Sequence, residues 1–185
     1  MSVEIRNLLA GPAVVYWGAY GAAEPLDSEL NSAPAASAWT DIGATSGGTT
    51  LNVELEFVEF EIDQSVDCPG QMISKRATKV ATSVAELTLT NWKRAMNGGT
   101  LTTGASYDTY DPTNSTAGMV PDYGALIIDG FAPSMKRRRV VVRRVLNTAA
   151  FELANSRTDQ GLIPVEWMAH YVSDSVTPYH VIDGK

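Results

Sequence analysis

Between Leu51 and Asp63 the chain reads LNVELEFVEFEID, and Leu51, Val53, Leu55 and Phe57 alternate with Asn52, Glu54 and Glu56 at a strict spacing of two. Successive strand side chains point to opposite faces, so this period predicts a strand with one apolar and one wet face. The phase slips at Phe57-Val58 and resumes with Phe60 and Ile62 apolar against Glu59, Glu61 and Asp63. One extra residue in a bulge has that effect, and it would keep all five carboxylates on one face. Val14 to Tyr20, β-branched and aromatic between Gly-Pro and Gly-rich segments, reads as a first strand. Glu24 to Ala38 is small, polar and Pro-containing, the composition of a surface loop. Cys68-Pro69-Gly70 predicts a turn, and the β-branched and small residues from Lys75 to Leu89 predict the return arm of a long hairpin. Leu89, Trp92 and Met96 fall at helical spacing, with Thr90 placed to cap the N-terminus and Gly98 placed for a left-handed C-terminal residue. Gly99 to Tyr123 is too polar to bury and reads as an exposed loop. Further strands are expected at Ala125 to Ile128, Arg138 to Leu146 and Ile163 to Val172. Six or seven strands and one short helix predict a mainly β, antiparallel sandwich or barrel-like domain.

With 185 residues and 44% hydrophobic composition, a single domain spanning residues 1–185 is expected. Fourteen basic against 21 acidic residues leave a net charge of -7. That balance opposes general affinity for nucleic acid, which depends on Lys and Arg displacing counterions from phosphates. The single cysteine, Cys68, forbids an internal disulfide framework, so packing must hold the fold. Neither a leader peptide nor a membrane span is readable, so neither export nor membrane binding is expected.

The chemistry-bearing residues are sparse. His170 and His180 match no common metal-ligand spacing, and Cys68 lies beside Pro-Gly with only Lys75 and Arg76 some way off, a setting for an inert thiol. Gly43 to Thr50 superficially resembles a phosphate loop, but Thr49 stands where a lysine belongs and the segment feeds a strand where a phosphate loop opens a helix. Asn114-Ser115-Thr116 is a glycosylation sequon by pattern alone. No catalytic set, cofactor site or metal site is expected.

Two charged strips remain. Glu54, Glu56, Glu59, Glu61 and Asp63 describe either a surface facing solvent or a lumen, or a face that pairs with cations; catalytic carboxylates usually come as two in contrasting environments. Lys136, Arg137, Arg138, Arg139, Arg143 and Arg144 place six of the chain's 14 cations within nine positions. This run alternates poorly, so cations leave both faces of the strand and one face cannot belong to the core. The reading that follows is a seam between subunits, where a basic strip on one copy meets an acidic strip on the next.

The order and spacing of Trp39-Thr40-Asp41-Ile42-Gly43, the Gly-Gly turn, the acidic strand, Asp63-Gln64-Ser65-Val66-Asp67, the run Arg76 to Leu89 and the late Ile163 to Ala169 with Asp174 resemble the tail tube proteins of siphophages, the long-tailed non-contractile bacteriophages. The resemblance covers most of the chain. It implies a β-sandwich with a flanking helix, six copies to a ring, and rings stacked into a tube. A long hairpin, here residues 64–89 with Lys75, Arg76, Lys79, Val80, Thr82 and Val84, would contact the neighbouring ring. It implies a structural virion protein assembled in the bacterial cytoplasm, with itself, a tape measure protein, a tail terminator and tail-tip proteins as partners. Double-stranded DNA would pass through the lumen without specific binding. The acidic strip and the small-residue arm Val80 to Glu86 are both candidates for the lumen lining. Tubes of contractile tails or of type VI secretion share the implied fold; a capsid-decorating or tail-tip module is a further alternative.

Overall fold

The β-branched and aromatic runs become strands: β1 (Val14–Ala19), β2 (Trp39–Asp41), β3 (Thr45–Phe60), β4 (Gly70–Val84), β5 (Thr100–Thr103), β6 (Asp108–Asp111), β7 (Gly124–Ala132), β8 (Lys136–Asn147), β9 (Ile163–Ala169) and β10 (Tyr179–Asp183), with one helix, α1 (Leu89–Ala95). The structure is a computed structural model that describes residues 11–61, 63, 66–114, 120–154 and 156–185. The mainly β, antiparallel class with a single short helix is as expected. Strands β2-β1-β7-β8-β9-β4-β3 form one antiparallel sheet in that order, and β5 and β6 form a separate hairpin. That hairpin lies within the segment expected to be a loop.

Strand β8 organises the sheet. One edge pairs with β7; the other pairs first with β10, from Arg138 to Val142, and then with β9, from Val145 to Asn147. Trp17 on β1 and Trp167 on β9 are separated by two strands, about 14 Å across a flat sheet at the usual strand spacing. Their ring centroids lie 5.9 Å apart, so the sheet curls to bring its inner face together. Val15, Leu126, Val142, Val145, Ile163 and Trp167 fill the resulting interior with Val80 and Val84 of β4. The outer face of the same strands is covered too. Trp39, Ala125, Ile127 and Val141 form a second cluster, with Tyr16, Ala22 and Ala38 packed against it.

The interior is closed by α1. Thr88, not Thr90, caps it: Asn91 N donates to Thr88 Oγ1 at 3.2 Å. The backbone after the helix runs at positive φ from Asn97 at 55° through Gly98 at 143° to Gly99 at 101°, so the expected glycine position is accompanied by Asn97 before it. Asn91 and Ala95 make the helix's buried face, while Met96 is exposed and Trp92 packs at a tilt against Phe151 with centroids 4.3 Å apart. Buried Asn147 knits this corner together: its Nδ2 donates to Ala95 O and its Oδ1 accepts from Glu166 N, both at 2.8 Å. An amide donates and accepts at once, which suits it to link a helix C-terminus to two strands.

Candidate assembly surface

Strands β3 and β4 pair along their whole length, from Thr45 opposite Val84 to Phe60 opposite Gly70. The hairpin therefore spans Thr45 to Val84, longer and earlier than the residues 64–89 expected; Gln64 and Ser65 lie outside the described residues. Its base belongs to the body. Residues Lys79 to Val84 of β4 pair with β9, and Val80, Thr82 and Val84 are buried, so these three cannot contact another subunit. Lys79 is tied to Glu166 at 3.1 Å, which holds the Glu166 carboxyl below its ordinary range. The outer part, roughly residues 53–60 with 70–78, pairs with no further strand among the described residues and projects as an arm.

The arm is apolar and exposed together. Leu51, Val53, Leu55, Phe57, Val58 and Phe60 of β3 are each 37–53% exposed, and Met72 and Ile73 of β4 are 57% and 54% exposed. The strict alternation is real, but the core that one face was expected to meet is absent: on the arm both faces are open. Directly opposed residues share a face. One face carries Leu51, Val53, Leu55 and Phe57, opposite Val80, Thr78, Arg76 and Ile73, so it continues the line of the buried interior out along the arm. The other carries Asn52, Glu54 and Glu56, opposite Lys79, Ala77 and Lys75, and then Val58 opposite Met72.

The predicted bulge occurs at Glu56-Phe57, but its extra residue is Ser74 on β4. Strand β3 consequently runs on without an insertion, and alternation puts Glu59 with Leu55 and Phe57, away from Glu54 and Glu56. The carboxylates do not share one face. Glu56 accepts from Lys75 Nζ at 2.8 Å, which raises the Lys75 pKa, and Glu59 accepts from Gln71 Nε2 at 2.6 Å. Glu61 and Asp63 are exposed at the tip; Ile62 between them lies outside the described residues.

The basic run of β8 is used inside the chain. Arg139 is fully buried, and its Nε and Nη2 reach the two Asp129 oxygens at 2.6 and 2.7 Å, with Nη2 also donating to Ser32 O at 2.7 Å. Hydrogen bonding to Asp129 raises the arginine's pKa. Arg143 makes a bidentate pair with Glu24 at 2.6 and 3.0 Å, and Arg138 makes one with Asp183 at 2.7 Å for both bonds. Arg144 lies over Tyr123, 3.8 Å from its centroid, and donates to Tyr171 O. From Arg139 onward both faces of β8 are therefore covered by its own chain, contrary to the expected open face. The poor alternation has two causes: a sheet buried on both sides, and a register shift opposite Gly124 to Leu126 that moves Val145 back inward. Only Lys136 and Arg137 of the six are exposed without an ion pair among the described residues.

Gly43 to Thr50 leads into β3 with Gly47 and Gly48 at φ 77° and 84°, a glycine bulge in a strand and no phosphate loop. His180 sits 3.5 Å from Asp27, while His170, pressed edge-on to Tyr123, has its pKa lowered by burial and then by Arg144. Cys68 is exposed beside Gly70 O. Ser115 and Thr116 of the sequon lie outside the described residues. Among the described residues no group of three or more His, Cys, Asp or Glu side chains is placed to hold a metal ion, and no helix is long and apolar enough to cross a membrane. Residues the sequence pattern did not single out are Met72 and Ile73, which extend the arm's apolar surface, and Tyr179 of the unforeseen strand β10, which packs at the arm's base. Among the described residues, no further strand pairs with the outer part of the arm. No family model and no curated protein matches the chain.

Proposed function

We propose that the chain is a structural subunit that polymerises, as the tail tube proteins of long-tailed phages do, into stacked six-membered rings forming a conduit for DNA. The observation that carries this reading is the arm, a two-stranded hairpin with eight large apolar side chains about half exposed. A lone hairpin is marginal in water, and monomeric proteins rarely display an apolar patch of this extent unless a partner covers it. Fully burying such a side chain is worth about 1.5–3 kcal/mol, so completing the burial of eight half-exposed ones releases roughly 8 kcal/mol per arm. That is comparable to the cost of immobilising a subunit, about 4–15 kcal/mol, so assembly on an existing ring is favoured over association in dilute solution.

The sequence resemblance supplies the geometry of rings and the virion setting. The net charge of -7 suits a conduit, since like charge keeps DNA from adhering to its wall. Glu54, on the arm's charged face, is the carboxylate best placed for that role, as Glu56 is engaged by Lys75. Strip charges on β8 contribute little to a seam because most are engaged within the subunit.

Negative-stain microscopy of concentrated protein is the test. Wild type should form rings or tubes, and Phe57→Glu, which places a charge in the surface to be buried, should leave a folded monomer. Monomer at every concentration of wild type, or tubes from Phe57→Glu at wild-type concentrations, would refute the proposal.

A further inference from the structure

Where the arm leaves the body, Val53, Leu55, Ile73, Arg76 and Tyr179 line a groove of about 430 Å³. Ser74 and Lys75 line it too, so apolar and polar side chains share its surface, and Tyr179 of β10 forms the wall nearest the body. Arg76, directly opposite Leu55 on the same face, is exposed and makes no ion pair among the described residues. The neighbouring cations are already engaged, Lys75 by Glu56 and Lys79 by Glu166. The groove therefore offers apolar surface and one uncommitted guanidinium, a combination suited to a segment that alternates apolar and acidic residues.

The far end of the same arm has that composition. Phe57, Val58 and Phe60 are about half exposed there, interleaved with Glu59, Glu61 and Asp63, and no Lys or Arg occurs from Phe57 to Pro69. Base and tip of one arm are thus complementary in charge and both apolar, yet they lie apart along a single extended hairpin and cannot meet within one subunit. We propose that the groove at the arm's base receives the acidic, apolar tip of the arm of a second copy, with Arg76 pairing to Glu59 or Glu61 of that copy. This rests on the assembly reading above and specifies its axial contact. The two surfaces differ, so the contact is heterologous: each added copy leaves one free tip and one free groove, and growth continues along one axis.

Charge exchange tests it in the full-length chain. Arg76→Glu alone, and Glu59→Arg with Glu61→Arg, should each raise the concentration at which particles larger than the monomer sediment by about tenfold, since each places like charges in contact. All three changes in one chain should bring that concentration back to within about threefold of wild type, because the pairing is restored with its sign reversed. All three residues are exposed, and circular dichroism should show each variant folded. Assembly of Arg76→Glu at wild-type concentrations, or a combined variant no better than the worse of the two partial ones, overturns the groove contact while leaving the tube reading intact. A wild-type chain that stays monomeric at every concentration overturns both.

Discussion

Replacing Arg139 by alanine is expected to be the most damaging single change in the basic run, although the sequence ranks it equal to its neighbours. Arg139 has no solvent exposure, and its carboxylate partner Asp129 is 5% exposed, so removing the cation strands a desolvated charge. It also strips Ser32 O of its donor, and with it the tie that holds the loop after β1 against the sheet. Breaking a buried pair from one side costs about 3–5 kcal/mol. For a chain of this size that corresponds to a fall in Tm of about 10–15 °C. Arg138→Ala is the internal control: its pair with Asp183 has the same bidentate geometry but is more than a third exposed at both side chains, and exposed pairs contribute about 0.2–1 kcal/mol. Urea unfolding followed by tryptophan fluorescence at low protein concentration measures both. Replacing the pair together, Arg139→Met with Asp129→Leu, should recover most of the loss because no charge remains buried. The reasoning is refuted if Arg139→Ala and Arg138→Ala destabilise equally, or if the double replacement is worse than the single one.

Two further expectations concern the body of the fold. A Cβ added at Gly124 would meet the Trp17 ring, whose other side packs against Trp167, so Gly124→Ala should cost about 2 kcal/mol and lower Tm by about 6 °C in differential scanning calorimetry; an unchanged Tm would show that the ring moves freely. Burial and Arg144 depress the His170 pKa from its usual 6.5, so the unfolded state binds the proton first as pH falls. Stability should therefore be flat above pH 6.5 and decline below it toward the folded-state value. The urea midpoint compared at pH 7.5 and 5 should drop less in His170→Gln than in wild type, and an equal drop would remove His170 as a cause.

Much of the local structure was legible from the residues. The period-two pattern at Leu51 to Phe57, the β-branched run of β8 and the helical spacing from Leu89 report backbone geometry directly, because side-chain direction follows the backbone's own repeat. The phase slip near Phe57 was legible as a bulge, but its side was not: alternation in one strand cannot say which partner carries the extra residue, and here it is Ser74. That single displacement divides the acidic strip between two faces. The short strands β2 and β10 escaped for a related reason, since three to five residues hold too little of a pattern to register and are ordered by the strands they join.

What the sequence determined alone is that the chain is an acidic, mainly β protein with one alternating, charged strand and no recognisable catalytic set. Which surfaces are free was a matter for the tertiary structure. Six cations in β8 and the alternating carboxylates and apolar residues of β3 look equally available in one dimension, yet Arg139 and Arg143 are consumed by Asp129 and Glu24, ten and 119 residues away, while Leu55 and Phe57 stay about half exposed among the described residues. Exposure is set by which distant segments fold over a strand, and pairing across such distances leaves no local periodicity to read. The arm is left open because the curled sheet closes without it.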